Sequence, residues 1–172
     1  MKKIILLLLL VSASAVAQKQ LDYSKHVISL DSTLETLYGV ISGDKGEARD
    51  WDKFRYLFHK DAKLIPTGLS ENSAYNATYL TPEGYIESAG KWLVENGFHE
   101  VEIHRNTNTF GNITQVFSTY ESYRSKSDTE PFMRGINSIQ LLHDGKRWWI
   151  INIYWQQETQ ENPIPESYLP KN

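Results

Sequence analysis

The chain contains no cysteine among its 172 residues. This absence excludes disulfide bonds, thiol chemistry and a lipid anchor attached to a cysteine. Neither sign of charge predominates strongly, because the chain has 21 acidic and 18 basic residues. No run of basic residues occurs in the sequence. We therefore expect no nucleic acid as a partner.

Long hydrophobic runs are absent after the first residues, which read "MKKIILLLLLVSASAVAQ". Two lysines precede an apolar run from Ile4 to Val11, and the small residues Ala15 and Ala17 follow. The run is shorter than the roughly 20 residues that a membrane span needs, and the layout is typical of a signal peptide. The sequence predicts a signal peptide over residues 1–17 and a secreted or periplasmic protein without a membrane anchor.

The remaining chain is long enough for one domain with a full hydrophobic core. We predict an N-terminal extension over residues 18–27, a single domain over residues 28–157 and a proline-containing C-terminal tail over residues 158–172. No internal repeat and no second domain is indicated. The prolines of the tail cannot continue a sheet, so the tail is expected to lie along the surface.

Three helices are predicted from the spacing of apolar residues and from capping signals. The first begins at Leu30, with Ser32 and Glu35 at the spacing of a capping box. Asp50 is placed to cap a short second helix, "WDKFRYLF". Thr81 is placed to cap the third, "TPEGYIESAGKWLVENG", whose apolar stripe is interpreted as core.

The apolar period changes to two after the third helix, which predicts strands. The turn signals "FGNI" and "HDGK" indicate tight hairpins, because Asn and Gly tolerate the positive φ of primed turns. Four antiparallel strands in a meander result. Before the third helix, "AKLIP" predicts a short strand, and residues 67–80 predict a long loop that either covers a pocket or lies on the surface.

This order of elements resembles the nuclear transport factor 2-like, or SnoaL-like, superfamily over residues 28–157. The segments that carry the resemblance are "WDKFRYLFHKDAKLI", "FGNITQVFSTYES" and "RGINSIQLLHDGKRWWIINIYWQ". The resemblance implies an α+β cone-shaped half-barrel, with helices packed on a strongly bent antiparallel sheet and a pocket at the open end. It also implies frequent dimerisation through the sheet. The catalytic residues of the family's isomerases and dehydratases have no matching positions here, so their activities are not transferred.

The last predicted hairpin supplies candidate ligand contacts. With a two-residue "DG" turn, Asn137 lies opposite Asn152, and Gly135 lies opposite Tyr154. The two asparagines either bond to each other or contact a ligand, and Tyr154 either donates to a ligand or fills space. An extra residue in the turn would exchange these assignments. The candidate ligand-binding residues are Asn137, Asn152, Tyr154, Tyr120 and Arg134.

The opposite face of the same hairpin predicts an interface. Trp149 and Trp155 would lie there together, and exposed aromatic patches of this kind tend to mark contacts. We expect a homodimer through the sheet, with the C-terminal tail as the alternative cover. Arg134 lies near Trp155 in this register, which predicts a cation–π contact or, alternatively, an anion-binding site.

The "GN" hairpin brings acidic residues together. Glu102 is predicted opposite Glu121, with His104 on the same face and Ile103 opposite Tyr120. Such a group is suited to acid–base chemistry or, with Glu100, to metal binding. A solvated strand face is the favoured interpretation, because the intervening apolar residues look like the buried side. We expect no metal and no other cofactor.

These patterns leave three functions open. The first is binding of a small, partly apolar molecule in the cone, without assigned catalysis. The second is a general acid–base isomerase, dehydratase or cyclase, and the third is a protein-interaction scaffold. An ionisable group with a burial-shifted pKa in the cavity would favour the enzyme.

Overall fold

The computed structural model describes residues 22–70 and 74–171, so the predicted signal peptide lies outside the described residues. The three helices are α1 (Leu30–Ile41), α2 (Trp51–Leu57) and α3 (Pro82–Asn96). The six strands are β1 (Phe58–Leu69), β2 (Tyr75–Ala77), β3 (His99–Phe110), β4 (Ile113–Tyr123), β5 (Met133–His143) and β6 (Trp148–Gln157). No helix within the described ranges is long and apolar enough to span a membrane.

The helices begin with side-chain caps. Asp50 accepts from the backbone N–H of Lys53 at 2.9 Å, and Thr81 caps α3 in the same way, as predicted. The capping box of α1 is formed by Ser29 and Ser32, whose side chains each accept from the other's backbone N–H. The predicted box of Ser32 and Glu35 was wrong, because the helix already begins at Leu30.

The strands form one mixed sheet in the order β2-β1-β6-β5-β4-β3. The predicted antiparallel meander of β3 to β6 is confirmed. β1 is longer than the predicted "AKLIP" strand, and it pairs in parallel with β6. β2 lies inside the predicted loop and pairs with the end of β1. The helices pack on one face of the sheet, here called the inner face, and the fold is α+β, as predicted.

A β-bulge at Ile103 changes which residues of β3 face inward. His104 pairs with Thr119, but Glu102 pairs with Tyr120, so Ile103 is left out of the ladder. The extra residue reverses the alternation of side chains beyond it. Glu102 therefore faces inward with Tyr120, and the predicted pairing of Glu102 with Glu121 was wrong. His104 remains on the outer face, separated from both acidic residues of the strand.

A second irregularity changes the faces of β6. His143 pairs with Trp148, so the turn has four residues rather than two, which leaves the parity of the first β6 residues as predicted. Ile151 is then skipped between the pairs of Leu141 with Ile150 and of Gln140 with Asn152. From that point, Ile153 and the residues in step with it face inward, and the predicted register was wrong.

The tail crosses part of the outer face, which is the cover that the sequence offered as the alternative to a dimer. The ring of Tyr168 packs edge-on against Phe117 with centroids 5.1 Å apart, and Thr119 donates to the Tyr168 carbonyl at 2.6 Å. Trp149, on the same face, lies under the guanidinium of Arg147 at 3.6 Å. The outer face is therefore partly covered by the chain itself.

A cavity with one carboxyl at its wall

A cavity of about 210 Å³ lies between the helices and the inner face of the sheet. Most of its wall is apolar, contributed among others by Leu37, Phe54, Trp92, Met133, Ile153 and Trp155. The polar side chains that line it are Glu100, Asn137, Tyr85 and Tyr120. A mostly apolar cavity with a few converging polar groups is the usual form of a small-molecule site.

Glu100 is the carboxyl in this wall. Its Oε1 accepts from Asn137 Nδ2 at 3.4 Å, and its Oε2 accepts from Ser122 Oγ at 3.3 Å. Both bonds are long, so they stabilise the carboxylate only weakly. Burial raises the pKa of Glu100 from 4.5 to about 7, although Asn137 and Ser122 act to lower it.

Two phenols share the cavity with this carboxyl. Within the described residues, no hydrogen-bond partner is found for the hydroxyl of Tyr85 or of Tyr120. Burial raises the pKa of both phenols, and the charge of Glu100 raises each further. Both hydroxyls therefore stay protonated at neutral pH and are available to donate to a ligand. The absence of a side chain at Gly135 makes room for the Tyr120 hydroxyl.

A chain of buried hydrogen bonds leads from Asn137 away from the cavity. Asn137 Nδ2 donates to the Tyr38 hydroxyl at 3.1 Å, and Tyr38 lies 2.6 Å from Ser118 Oγ. Ser118 donates to Glu102 at 2.5 Å, and Arg105 Nε lies 3.1 Å from the other oxygen of Glu102. Glu102 and Arg105 belong to an open polar groove that also includes Glu35, His99, Tyr123 and Lys126. Glu100 lines both spaces, whereas Tyr38 lines the groove alone, so Glu100 forms part of the wall between them.

Two of the five candidate residues line the cavity. Asn137 and Tyr120 do so, but Asn152 and Tyr154 lie on the outer face because of the bulge at Ile151. Their predicted placement in the cone was therefore wrong. Tyr154 is 49% exposed.

Arg134 also lies outside the cavity. Its Nε bonds to Glu158 at 2.7 Å, and a second bond of 3.1 Å makes the pair bidentate. The predicted cation–π contact with Trp155 was wrong, since Trp155 faces inward and packs against Tyr85. The carboxylate of Glu158 also occupies the guanidinium that anion binding would use.

Sequence reasoning missed Glu100 and Tyr85 as cavity residues. Tyr85 was assigned to the core stripe of α3, which is where it lies, but its ring also borders the cavity. Glu100 faces inward only because of the bulge at Ile103, and the sequence "HEVEIHR" carries no signal for that bulge. Within the described part of the chain, no three His, Asp or Glu side chains form a group that could hold a metal ion.

Solved structures with a similar fold have very different sequences. An NTF-2-like protein of unknown function from Silicibacter pomeroyi is 14% identical over 80% of this chain and all of its own, with a TM-score of 0.53. LinA is 7% identical over 81% of this chain and 90% of its own, with a TM-score of 0.55. A protein of unknown function with a cystatin-like fold from Nostoc punctiforme is 8% identical over 76% and 89%, with a TM-score of 0.57.

These likenesses identify the fold. The chain has the nuclear transport factor 2-like fold, as the resemblance predicted. No protein-family model matches the sequence, and no curated protein matches it either. At identities this low, the function has to be argued from the cavity.

Proposed function

We propose that this protein binds a small, largely apolar molecule in the cavity, with one polar group of that molecule directed at Glu100. The observation that carries the proposal is a cavity of about 210 Å³ whose polar groups converge on one side of an apolar wall. An engineered apolar cavity of about 150 Å³ is known to bind benzene. The cavity therefore suits a molecule with one ring or two small fused rings.

The polar groups favour a ligand with a carbonyl or hydroxyl oxygen. Tyr85 and Tyr120 donate hydrogen bonds to such an oxygen, and Glu100 accepts from a hydroxyl or, when protonated, donates to a carbonyl. A site built to satisfy an oxygen rejects an analogue that lacks it, because the phenols would then be left unpaired. The ligand class is thus a small cyclic ketone, phenol or alcohol.

A ligand screen by native mass spectrometry and intrinsic tryptophan fluorescence tests this proposal. Trp92 and Trp155 line the cavity, so a bound ring should change the emission. We expect the substitution Tyr120→Phe to weaken binding of a cyclic ketone about tenfold, the cost of one lost hydrogen bond. The matched control Tyr154→Phe, on the outer face, should leave binding unchanged. Equal loss in both variants, or no binding of any cyclic ketone, phenol or alcohol, would refute the proposal.

A general acid–base enzyme is the second candidate, and one observation favours it. The pKa of Glu100 is raised to about 7 by burial, so both forms of the carboxyl are populated at neutral pH. A group in this state can take a proton from one atom and return it to another, as isomerases and dehydratases require. The two protonated phenols can stabilise negative charge that develops on a neighbouring oxygen.

Exchange of ligand C–H protons tests the catalytic candidate. Incubation of a bound cyclic ketone in D₂O should introduce deuterium next to its carbonyl, with a rate that rises as Glu100 ionises near pH 7. We expect Glu100→Gln to abolish this exchange while the ketone still binds. Exchange that continues in the variant would exclude Glu100 as the base.

We also propose that the protein acts outside the cytoplasm. The support is the basic, apolar and small-residue pattern of residues 1–17. The N-terminal sequence of protein recovered outside the cytoplasm should begin at Gln18. A full-length chain that stays in the cytoplasm would contradict this proposal.

A further inference from the structure

The hydrogen bonds that link the cavity to the groove point in one direction. Asn137 Nδ2 carries two protons and donates to Glu100 at 3.4 Å and to the Tyr38 hydroxyl at 3.1 Å. Since Tyr38 accepts that bond, its own proton is free to point to Ser118 Oγ, 2.6 Å away. Ser118 then donates to Glu102. Every donor after Asn137 therefore points away from Glu100 and toward the groove.

Arg105 fixes this direction at the groove end. A guanidinium only donates hydrogen bonds, and Arg105 Nε lies 3.1 Å from Glu102 Oε2 while its Nη1 lies 3.0 Å from Asp31. Glu102 consequently accepts from Arg105 through one oxygen and from Ser118 through the other. A carboxylate at this position satisfies both donors at once.

The residues in the middle of this hydrogen-bond chain are shielded from bulk solvent. Ser118 is 0% exposed, Tyr38 is 5% exposed and Asn137 is 6% exposed. Buried hydroxyl and amide groups keep their hydrogen bonds because an unpaired one is costly. If one of these bonds reverses, the next one has to reverse as well.

We propose that Glu102 is a positioning residue, which holds the Asn137 amide with its Nδ2 toward Glu100 and so lets the groove control the proton on the cavity carboxyl. The proposal rests on the proposed function only in treating Glu100 as the group that meets the ligand. The hydrogen-bond chain itself needs no ligand.

The substitution Glu102→Gln should reverse the donor and acceptor roles along this series of hydrogen bonds. A glutamine has one accepting and one donating end, and the charged Arg105 makes the stronger bond to the accepting oxygen. The amide nitrogen then faces Ser118, which must donate to Tyr38 instead. Tyr38 in turn donates to Asn137, whose amide rotates.

The rotated amide presents its oxygen to Glu100. An acceptor beside a carboxyl favours the protonated form, so the reversed chain raises the pKa of Glu100. Direct electrostatics predict the opposite sign, because removal of a nearby negative charge makes a carboxyl easier to ionise. The charge of Glu100 acts on the phenols of Tyr38 from α1, Tyr85 from α3 and Tyr120 from β4. Glu102 lies two residues further along the same strand, and β5 contributes the amide of Asn137.

Titration of the Glu100 side-chain carbon by ¹³C NMR, in the full chain, measures this effect. We expect Glu102→Gln to raise the pKa of Glu100 by about one unit. The control is Glu35→Gln, which removes a charge from the same groove but from a residue outside the chain of bonds, and it should produce no rise. An unchanged or lowered pKa of Glu100 in the Glu102→Gln variant would overturn the proposal.

Removal of one hydroxyl from the series of hydrogen bonds provides the second test. In a Ser118→Ala background, Glu102→Gln should no longer raise the pKa of Glu100, because no hydroxyl at position 118 is left to transmit the reversal. Tyr38→Phe removes the neighbouring link and serves the same purpose if the alanine variant does not fold. A rise that persists after either cut would overturn the proposal. Since no ligand is added, a failed ligand screen and a failed titration are distinguishable.

Discussion

The carboxyl of Glu100 is the single residue whose chemistry depends most on its surroundings. It lies in an apolar wall with two long hydrogen bonds, from Asn137 and Ser122, and without a positively charged side chain among the described residues within salt-bridge distance. Its raised pKa means that the folded protein binds this proton more tightly than the unfolded chain does. Ionisation of Glu100 therefore lowers the free energy of unfolding.

This linkage predicts a pH-dependent effect of Glu100→Gln. The stabilisation from the bound proton is complete below the ordinary value of 4.5 and is lost as pH rises through the folded-state pKa of about 7. We expect the variant to melt about 3 °C or more above the wild type at pH 8, the effect of roughly 1 kcal/mol in a chain of this size. The difference should vanish at pH 4.

Thermal unfolding followed by circular dichroism measures this difference. Glu87→Gln, at an exposed position of α3, is the matched control and should track the wild type at every pH. A variant at Glu100 that melts below the wild type at pH 8 would contradict the prediction.

Single cavity residues were only partly predictable from sequence. Asn137 and Tyr120 were assigned to the correct face because the part of each strand that holds them keeps its regular alternation. Glu100 and Tyr154 were assigned to the wrong faces because each lies beyond a bulge. A bulge depends on how the sheet bends against the helices, and such tertiary effects leave no local pattern.

At the scale of elements, the helices and hairpins follow from local chemistry. Asp50 and Thr81 cap the helices that they were predicted to cap, and the "GN" turn pairs Phe110 with Ile113 as a two-residue hairpin. The length of β1 was underestimated because its partner is the last strand of the chain, which is far away in sequence. Long-range parallel pairing of this kind has no signature within a short window.

The pairing of Tyr120 in β4 with Gly135 in β5 gives an element-scale prediction. A Cβ at this position would overlap the Tyr120 hydroxyl and the Gln156 carbonyl. We expect Gly135→Ala to displace the Tyr120 ring, to destabilise the fold by about 1–3 kcal/mol and to weaken ligand binding. Urea unfolding and the fluorescence screen measure the two effects.

Gly39→Ala is the matched control, because a Cβ there meets nothing within 4 Å. Alanine is the better helix former, so this variant should be stabilised by up to about 1 kcal/mol. If Gly135→Ala is as stable as the wild type and binds ligand equally well, the close packing of Tyr120 on this glycine has no consequence.

At the scale of the whole molecule, the outer face of the sheet has a different composition from the one predicted. Trp155 faces the core, and Trp149 is covered by Arg147 while its indole N–H donates to Asp144 at 2.7 Å. The exposed large apolar side chains there include Phe110, Ile113 and Tyr154. The aromatic patch that motivated a dimer is therefore reduced.

A homodimer through the sheet stays a prediction. We expect a mass of twice the chain by size-exclusion chromatography with light scattering at micromolar concentration. Tyr154→Glu should shift it to a monomer, because a charge buried between two sheets is costly. Ile28→Glu, which changes a more exposed apolar residue before α1, should leave the mass unchanged. A wild-type monomer would exclude this dimer.

The overall architecture was predictable because element order and alternation constrain it strongly. The α+β cone was implied by the resemblance to the superfamily, and the structures with a similar fold are 14% identical or less. What the order of elements does not determine is the chemistry of the interior. That depends on side-chain direction, which a single unpaired residue reverses.

Because of the bulge at Ile103, the presence of a carboxyl in the cavity depends on the number of residues in β3 and not on the composition of the chain. Deletion of this one isoleucine would turn the start of β3 by half a pleat, sending Glu100 and Glu102 to solvent and bringing Val101 inside. The shortened chain would keep every charged residue and yet enclose a cavity without a carboxyl in its wall. A change of one residue in the length of β3 would thus be enough to decide whether the cavity contains an ionisable carboxyl.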